Sequence, residues 1–277
     1  MLGLEILITL SFYSIGSVKG IIGTSDQQHH HHHHHKKSLT LKPHNHRIIH
    51  RYIKREVPQE WSHEPIVRTT SDWLKKNNTD EIIDAVYALL GDQNAKVGAG
   101  KFDPMNIHCM QKRVADVAFS NALLVKDRAG AEAAIKFAGL ERNTPAVGKA
   151  SKECLEGEIK ILNPEIARII RHQDAASKGA DEINKKSTLS VAKSLKMIDA
   201  DFLTAIDVGT FKAGDTSDPT AAGFSCNKQG GSGKGCIVDN NLLVIDATVE
   251  EINKAVANVK CRPIWCKSKN SSKVHHS

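Results

Sequence analysis

The chain has 277 residues, a formal net charge of +7 and 5% aromatic residues. Its charge is unevenly placed: residues 36–68 hold eight Lys or Arg against three Glu, a net +5, and residues 254–277 hold six basic residues and no acid, a net +6. The stretch between these flanks is nearly balanced and poor in aromatics, which argues against specific nucleic-acid binding, and no apolar run approaches the roughly 20 residues that a membrane-spanning helix needs.

Residues Ile6 to Gly16, ILITLSFYSIG, form an apolar run that ends in the small-residue stretch Ser17-Val18-Lys19-Gly20. It reads as a secretory signal over residues 1–20, although Glu5 stands where a basic n-region is usual. A buried first strand is the alternative. Residues 21–68 read as a disordered, histidine-rich and basic leader. The seven-histidine run His29, His30, His31, His32, His33, His34 and His35 cannot pack as a core. As a native tract it would bind Zn, Cu or Ni weakly and gain charge below about pH 6.5; an inserted purification tag is the other reading. The dibasic pair Lys54-Arg55 offers a processing site that would leave a chain beginning at Glu56, making residues 21–55 a propeptide. The basic flanks suit attachment to an anionic polysaccharide or lipid surface, or are simply solvated tails.

From Thr69 to Lys260 the pattern predicts one helical domain. Asn78-Thr79-Asp80-Glu81 places a cap residue three before a glutamate, ahead of Ile82, Ile83, Val86, Leu89 and Leu90, and predicts a short amphipathic helix ending at Gly91. A second helix is expected from about Asn106 to Leu124, with Gln111, Lys112, Arg113 and Asp116 mostly on its outer side. An alanine-rich third follows from about Gly130 to Leu140. Leu140 to Glu158 is expected to be irregular. Asn163-Pro164-Glu165 then opens a helix through Ile166, Ile169 and Ile170, which Gly179 interrupts. A longer pattern runs from Ile183 to Ile198, and Phe202, Leu203 and Ile206 add another turn or two. Turn signals dominate Asp207 to Asp246, where Ile237-Val238 and Leu242 to Ile245 are the β-type runs. Thr248-Val249-Glu250-Glu251 repeats the capping-box pattern and opens a last helix. The fold class expected is all-α, a mainly helical array with short irregular or β C-terminal elements, stabilised by disulfides. Residues 261–277 read as a basic tail, and glycosylation sequons stand at Asn77 and Asn270.

The six cysteines follow the signal, and an oxidising compartment would pair them. Of the 15 connectivities, the local choices are Cys226 with Cys236, which clips the glycine-rich loop NKQGGSGKG, and Cys261 with Cys266. Cys109 and Cys154 are left for each other. There is no GxSxG, HExxH, DxDxDG or strand-bound GxGxxG, and GGSGKG from Gly230 to Gly235 lacks phosphate-loop spacing. His108 and Cys109 are adjacent and diverge on a helix. The pairs Asp199 with Asp201 and Asp215 with Asp218 lie in turn contexts. These residues point to no enzyme and no cofactor.

The segments HCMQKRVADVAFSNALL (His108 to Leu124), GLERNTPAVG (Gly139 to Gly148), VGTFKAGDTSDPTAAGFSC (Val208 to Cys226) and GCIVDNNLLVIDATVEEINKAV (Gly235 to Val256) carry a resemblance. Over about Asp80 to Val259 the chain resembles an uncharacterised family of fungal small secreted proteins, some of them candidate effectors of rust-type fungi. Cys109, Cys154, Cys226 and Cys236 belong to that pattern; the histidine run, the basic leader and the Cys261 and Cys266 pair depart from it. The resemblance implies an extracellular location and no catalytic residues. The reading is a secreted, non-enzymatic interaction protein with an extracellular or host protein as partner, acting at a host interface. A structural or adhesive cell-wall component is the alternative.

Overall fold

The computed structural model describes residues 61–226 and 228–266, all within the compact unit formed by residues 51–277. The expected signal segment, the histidine run, Lys54-Arg55 and the Asn270 sequon lie outside the described residues. The protein is a mainly helical array bridged by three disulfides, Cys109–Cys154, Cys226–Cys236 and Cys261–Cys266, the pairing that the cysteine spacing favoured. Among the described residues no helix is long and apolar enough to cross a membrane.

Among the described residues eight α-helices follow in chain order: α1 Glu64–Leu74, α2 Asp92–Ala95, α3 Met110–Leu124, α4 Arg128–Gly139, α5 Pro164–Ala167, α6 Ala180–Met197, α7 Cys236–Asp239 and α8 Val249–Val256. Helix α1 begins ahead of Thr69, where the periodicity first becomes regular. Pro65 in its first turn needs no intrahelical amide bond, and Ile66, Val67, Thr70 and Leu74 at helical spacing turn one face inward. Helices α1, α3 and α4 pack on one another, and α6 packs against α4 and α8. Phe119, Phe137, Met110, Ile135, Leu74 and Leu195 are fully buried between them. Small residues on α4 permit this closeness: a Cβ on Gly130 would stand 2.1 Å from Trp73 Nε1, so the α1 indole lies directly on the α4 backbone.

Several expectations are corrected. The amphipathic helix expected from Asn78 to Gly91 is only a 3-10 turn, Ala85–Leu89, capped by Asp84. The Asn78 side chain takes both the amide and the carbonyl of Ile82, and Glu81 adopts a left-handed φ of 54°, so local side-chain bonds displace the helix. Gln111 and Asp116, expected on the outer side of α3, are 2% and 0% exposed. Gln111 donates to the Phe137 and Leu140 carbonyls, satisfying the open C-terminal end of α4.

The helix expected through Ile170 stops at Ala167. The following segment is held instead by a polar stripe on α6. Ser187 Oγ donates to Ile170 O, the Ile170 amide to Ser190 Oγ, and Asn184 exchanges two bonds with the backbone of Gln173. Of the two β-type runs, the first is overturned and the second pairs only briefly. Ile237 and Val238 lie in α7, and Leu243 makes only an isolated antiparallel bridge to Phe211; no sheet forms among the described residues. The capping box at Thr248 and Glu251 is present and starts α8. Past it, Arg262 N donates to Met197 O and Trp265, 3% exposed, packs edge-on to Phe119, so residues 261–266 belong to the core rather than to a tail.

Candidate functional site

A cleft of about 90 Å³ opens where the 3-10 turn Trp61–His63, the loop after α4, the Asp174 loop, the Thr210–Gly214 segment and residues 221–225 meet. His63 ends the first turn and is 5% exposed, with its Nε2 buried and unpartnered. Glu141 directly follows the end of α4 and accepts the Thr210 hydroxyl. Asp174 also lines the cleft, but its oxygens accept the amides of Gly148 at 3.1 Å and Ala176 at 2.8 Å. The volume suits a few waters or one small polar group and falls well short of the 300–1,000 Å³ typical of organic-ligand sites.

Burial governs the electrostatics. It pushes the Glu141 carboxyl up to about 7, against the Thr210 hydrogen bond and with help from Asp174. It pulls His63 down to about 4, with repulsion from His172 adding to the effect and the carbonyls of Asp207 and Gly209 opposing it. Folded Glu141 keeps its proton above the pH at which the unfolded chain releases it, so its contribution to stability is full below 4.5 and is lost as pH rises through about 7. His63 acts the other way, stabilising above 6.5 and losing that contribution as pH falls through about 4. Glu141→Gln should therefore gain on the parent as pH climbs from about 4.5 to 7 and level off beyond. Urea melts of the two proteins at several pH values check this, and a difference that does not change with pH would contradict it.

A second polar cluster lies beneath this cleft's histidine. His172 Nδ1 is 2.7 Å from Ser187 Oγ and 2.9 Å from Gly139 O, and its Nε2 is 3.2 Å from Asp246 Oδ2. The residue types are those of a hydrolytic triad. The geometry is structural: Ser187 is fully buried and its hydroxyl proton goes to Ile170 O, so no substrate carbonyl can reach it. His172 pins α6, α4 and the Asp246 segment together.

The third cluster surrounds a disulfide. His108 Nε2 stands 2.9 Å from Glu158 Oε2, and Cys109 Sγ 3.5 Å from the same oxygen. The Leu155 amide, and after it the His108 bond, hold the Glu158 carboxyl down to about 2. Bonded to Cys154, Cys109 has no thiolate to offer. Three of the four carboxylates singled out in turns serve as caps: Asp201 accepts Leu203 N, Asp215 accepts Ser217 N and Asp218 accepts Thr220 N, while Asp199 stands 3.8 Å from Arg128 Nη2. Asp239 takes the amide and hydroxyl of Ser232, filling the GGSGKG loop from within. The metal candidates His29 to His35 lie outside the described residues. Sequence reading missed His63, which it grouped with the leader; its place two residues before the Pro65 helix start was the available signal. Comparisons with protein-family models, curated proteins and solved structures gave no match for this chain.

Proposed function

We propose that this is a secreted, non-enzymatic interaction protein, whose folded unit engages an extracellular or host protein while the basic flanks attach to anionic polysaccharide or lipid. The observation that carries the reading is the complete pairing of six cysteines within one chain, the chemistry of an oxidising compartment. The small cleft supports it, since about 90 Å³ accepts a side chain of a partner more readily than a metabolite. The engaged hydroxyl of Ser187 points the same way. The resemblance to fungal small secreted proteins supports this reading, with the interaction at a host interface as part of the proposal.

The flanks are tested on a sulfated-polysaccharide column. Retention of the full chain is expected to fall steeply with salt, because screening shortens electrostatic reach to about 8 Å at physiological ionic strength. It should also strengthen from about pH 7.5 to 5.5 if His29 to His35 are present and metal-free. Replacing Lys36, Lys37, Lys42, Arg47, Arg51, Lys54 and Arg55 by glutamine should weaken it, leaving the share carried by residues 254–277. Equal retention of both forms at low and high salt would contradict attachment by the flanks.

A further inference from the structure

The groups around the Cys109–Cys154 bridge form a donor set that the disulfide holds closed. His108 and Cys109 are 2% and 0% exposed and Cys154 is 9% exposed, while the Glu158 side chain, 25% exposed, gives the cluster a path to solvent. The His108, Cys109 and Glu158 donor atoms all lie within 4.8 Å of one another, and Cys154 Sγ is bonded directly to the Cys109 sulfur. One imidazole nitrogen, one carboxylate and two sulfurs match, in number and type, a four-coordinate site for a thiophilic divalent ion. We propose that the reduced chain binds Zn²⁺ through His108, Cys109, Cys154 and Glu158, and that the Cys109–Cys154 disulfide is the closed form of this site.

The required rearrangement is small. At zinc bond lengths of about 2.3 Å to sulfur and about 2.0 Å to nitrogen or oxygen, a tetrahedral ion needs its sulfurs about 3.8 Å apart and the imidazole and carboxylate atoms about 3.3 Å apart. His108 and Glu158, 2.9 Å apart, have only a few tenths of an ångström to yield toward each other, while the His108 nitrogen and Cys109 Sγ, within 4.8 Å, must close to about 3.5 Å. The sulfurs must part further; Cys154 lies in a segment without helix whereas Cys109 stands at the start of α3, so the shift falls on Cys154. The Leu155 amide, 2.7 Å from Glu158 Oε2, already orients the carboxylate. Two thiolates and one carboxylate around a dication leave one excess negative charge. Lys152 Nζ, 3.5 Å from Glu158 Oε1, and Arg171, which donates to His108 O, offset it.

The chemistry balances with a dithiol reductant. It gives two electrons and two protons to the sulfur–sulfur bond and becomes a disulfide itself; Zn²⁺ then displaces the two thiol protons to solvent, and His108 turns a deprotonated Nε2 to the ion with its proton on Nδ1. The oxidised protein outside the cell is thus closed to metal, and the site opens where a thiol reductant reaches it.

The test uses the full chain with Cys226, Cys236, Cys261 and Cys266 replaced by serine, reduced by a dithiol, freed of it without oxygen and titrated with Co²⁺. Sulfur-to-cobalt charge-transfer absorption reports thiolate ligation alone, so imidazoles of the histidine run are silent. The expected result is a signal that saturates at one equivalent in the reduced protein, is absent from the oxidised one and is displaced by Zn²⁺. His108→Ala and Glu158→Gln should each weaken binding by at least about tenfold. If the serine variant does not fold, His108→Ala is compared with the parent in the six-cysteine chain, where it should weaken the binding of one equivalent by the same factor. No charge transfer in the reduced protein, or equal titrations of His108→Ala and its parent, would overturn the proposal.

Discussion

Replacing Asp116 with alanine should destabilise the protein by about 3 kcal/mol, the cost of leaving buried donors without their acceptor. Asp116 is fully buried on α3, and its oxygens accept the amide of Leu162 at 3.0 Å, the amide of Asn163 at 2.9 Å and the Asn163 side-chain amide at 2.8 Å. Alanine leaves the buried Asn163 amide without its acceptor, while the Asn163 side chain keeps Ser120 Oγ and the Asp116 carbonyl. Leu162 and Asn163 donate from the backbone just ahead of α5, so the entry of that helix loses its anchor along with the hydrogen bonds. For a folded unit of roughly 200 residues the loss corresponds to a fall in melting temperature of about 10 °C. Asp116→Asn keeps one carbonyl acceptor but turns an amide toward donors, and should cost about half as much. Thermal melts of both variants check the order. A change below about 1 kcal/mol for alanine would mean that the carboxylate is not the anchor.

Trp265→Ala should cost about 3 kcal/mol, at the lower end of large-to-small changes in a core. The indole is 3% exposed, its ring centre lies 6.4 Å from that of Phe119 in an edge-on arrangement, and the Trp265 carbonyl accepts Arg128 Nη2 at 2.7 Å. The cost is moderated because Trp265 Nε1 is buried without a partner, so truncation removes an unsatisfied donor together with the packing. Phenylalanine at this position keeps the aromatic contact and sheds that donor, and should cost less than about 1 kcal/mol. A solvated basic tail, the reading that composition alone supports, would leave both variants within about 0.5 kcal/mol of the parent.

Helices α3, α4, α6 and α8 were legible because their apolar residues recur at helical spacing and, for α8, because Thr248 and Glu251 form a local device that needs no tertiary context. The disulfide pairing was legible from loop lengths. Polar residues that face inward were not. Asp116, Gln111, Asn184 and Ser187 have the spacing of a solvated helix face, and only the assembled fold shows that they hydrogen-bond backbone segments lacking partners of their own. The same exchange explains α5: a proline start and three isoleucines promise a longer helix, but the backbone after Ala167 is bonded to α6 instead. Of the candidate sites, His108 and Cys109 were noticed as neighbours diverging along a helix. Cys109 in fact caps α3 at the end of a 3-10 turn, which brings both side chains to Glu158, 49 and 50 residues away. The cleft at His63 and Glu141 depends on five separate segments, the fifth being residues 221–225, and has no local signature.

The central claim, export of a fully oxidised interaction protein, is tested most directly by expressing the full chain in a secreting host and measuring the intact mass of the product after denaturation and alkylation, without reduction. The account predicts protein in the medium with no alkylated cysteine, six after reduction, and a mass that begins at Ile21 or at Glu56. Retention inside the cell with residues 1–20 still attached, or two or more cysteines alkylated before reduction, would contradict it.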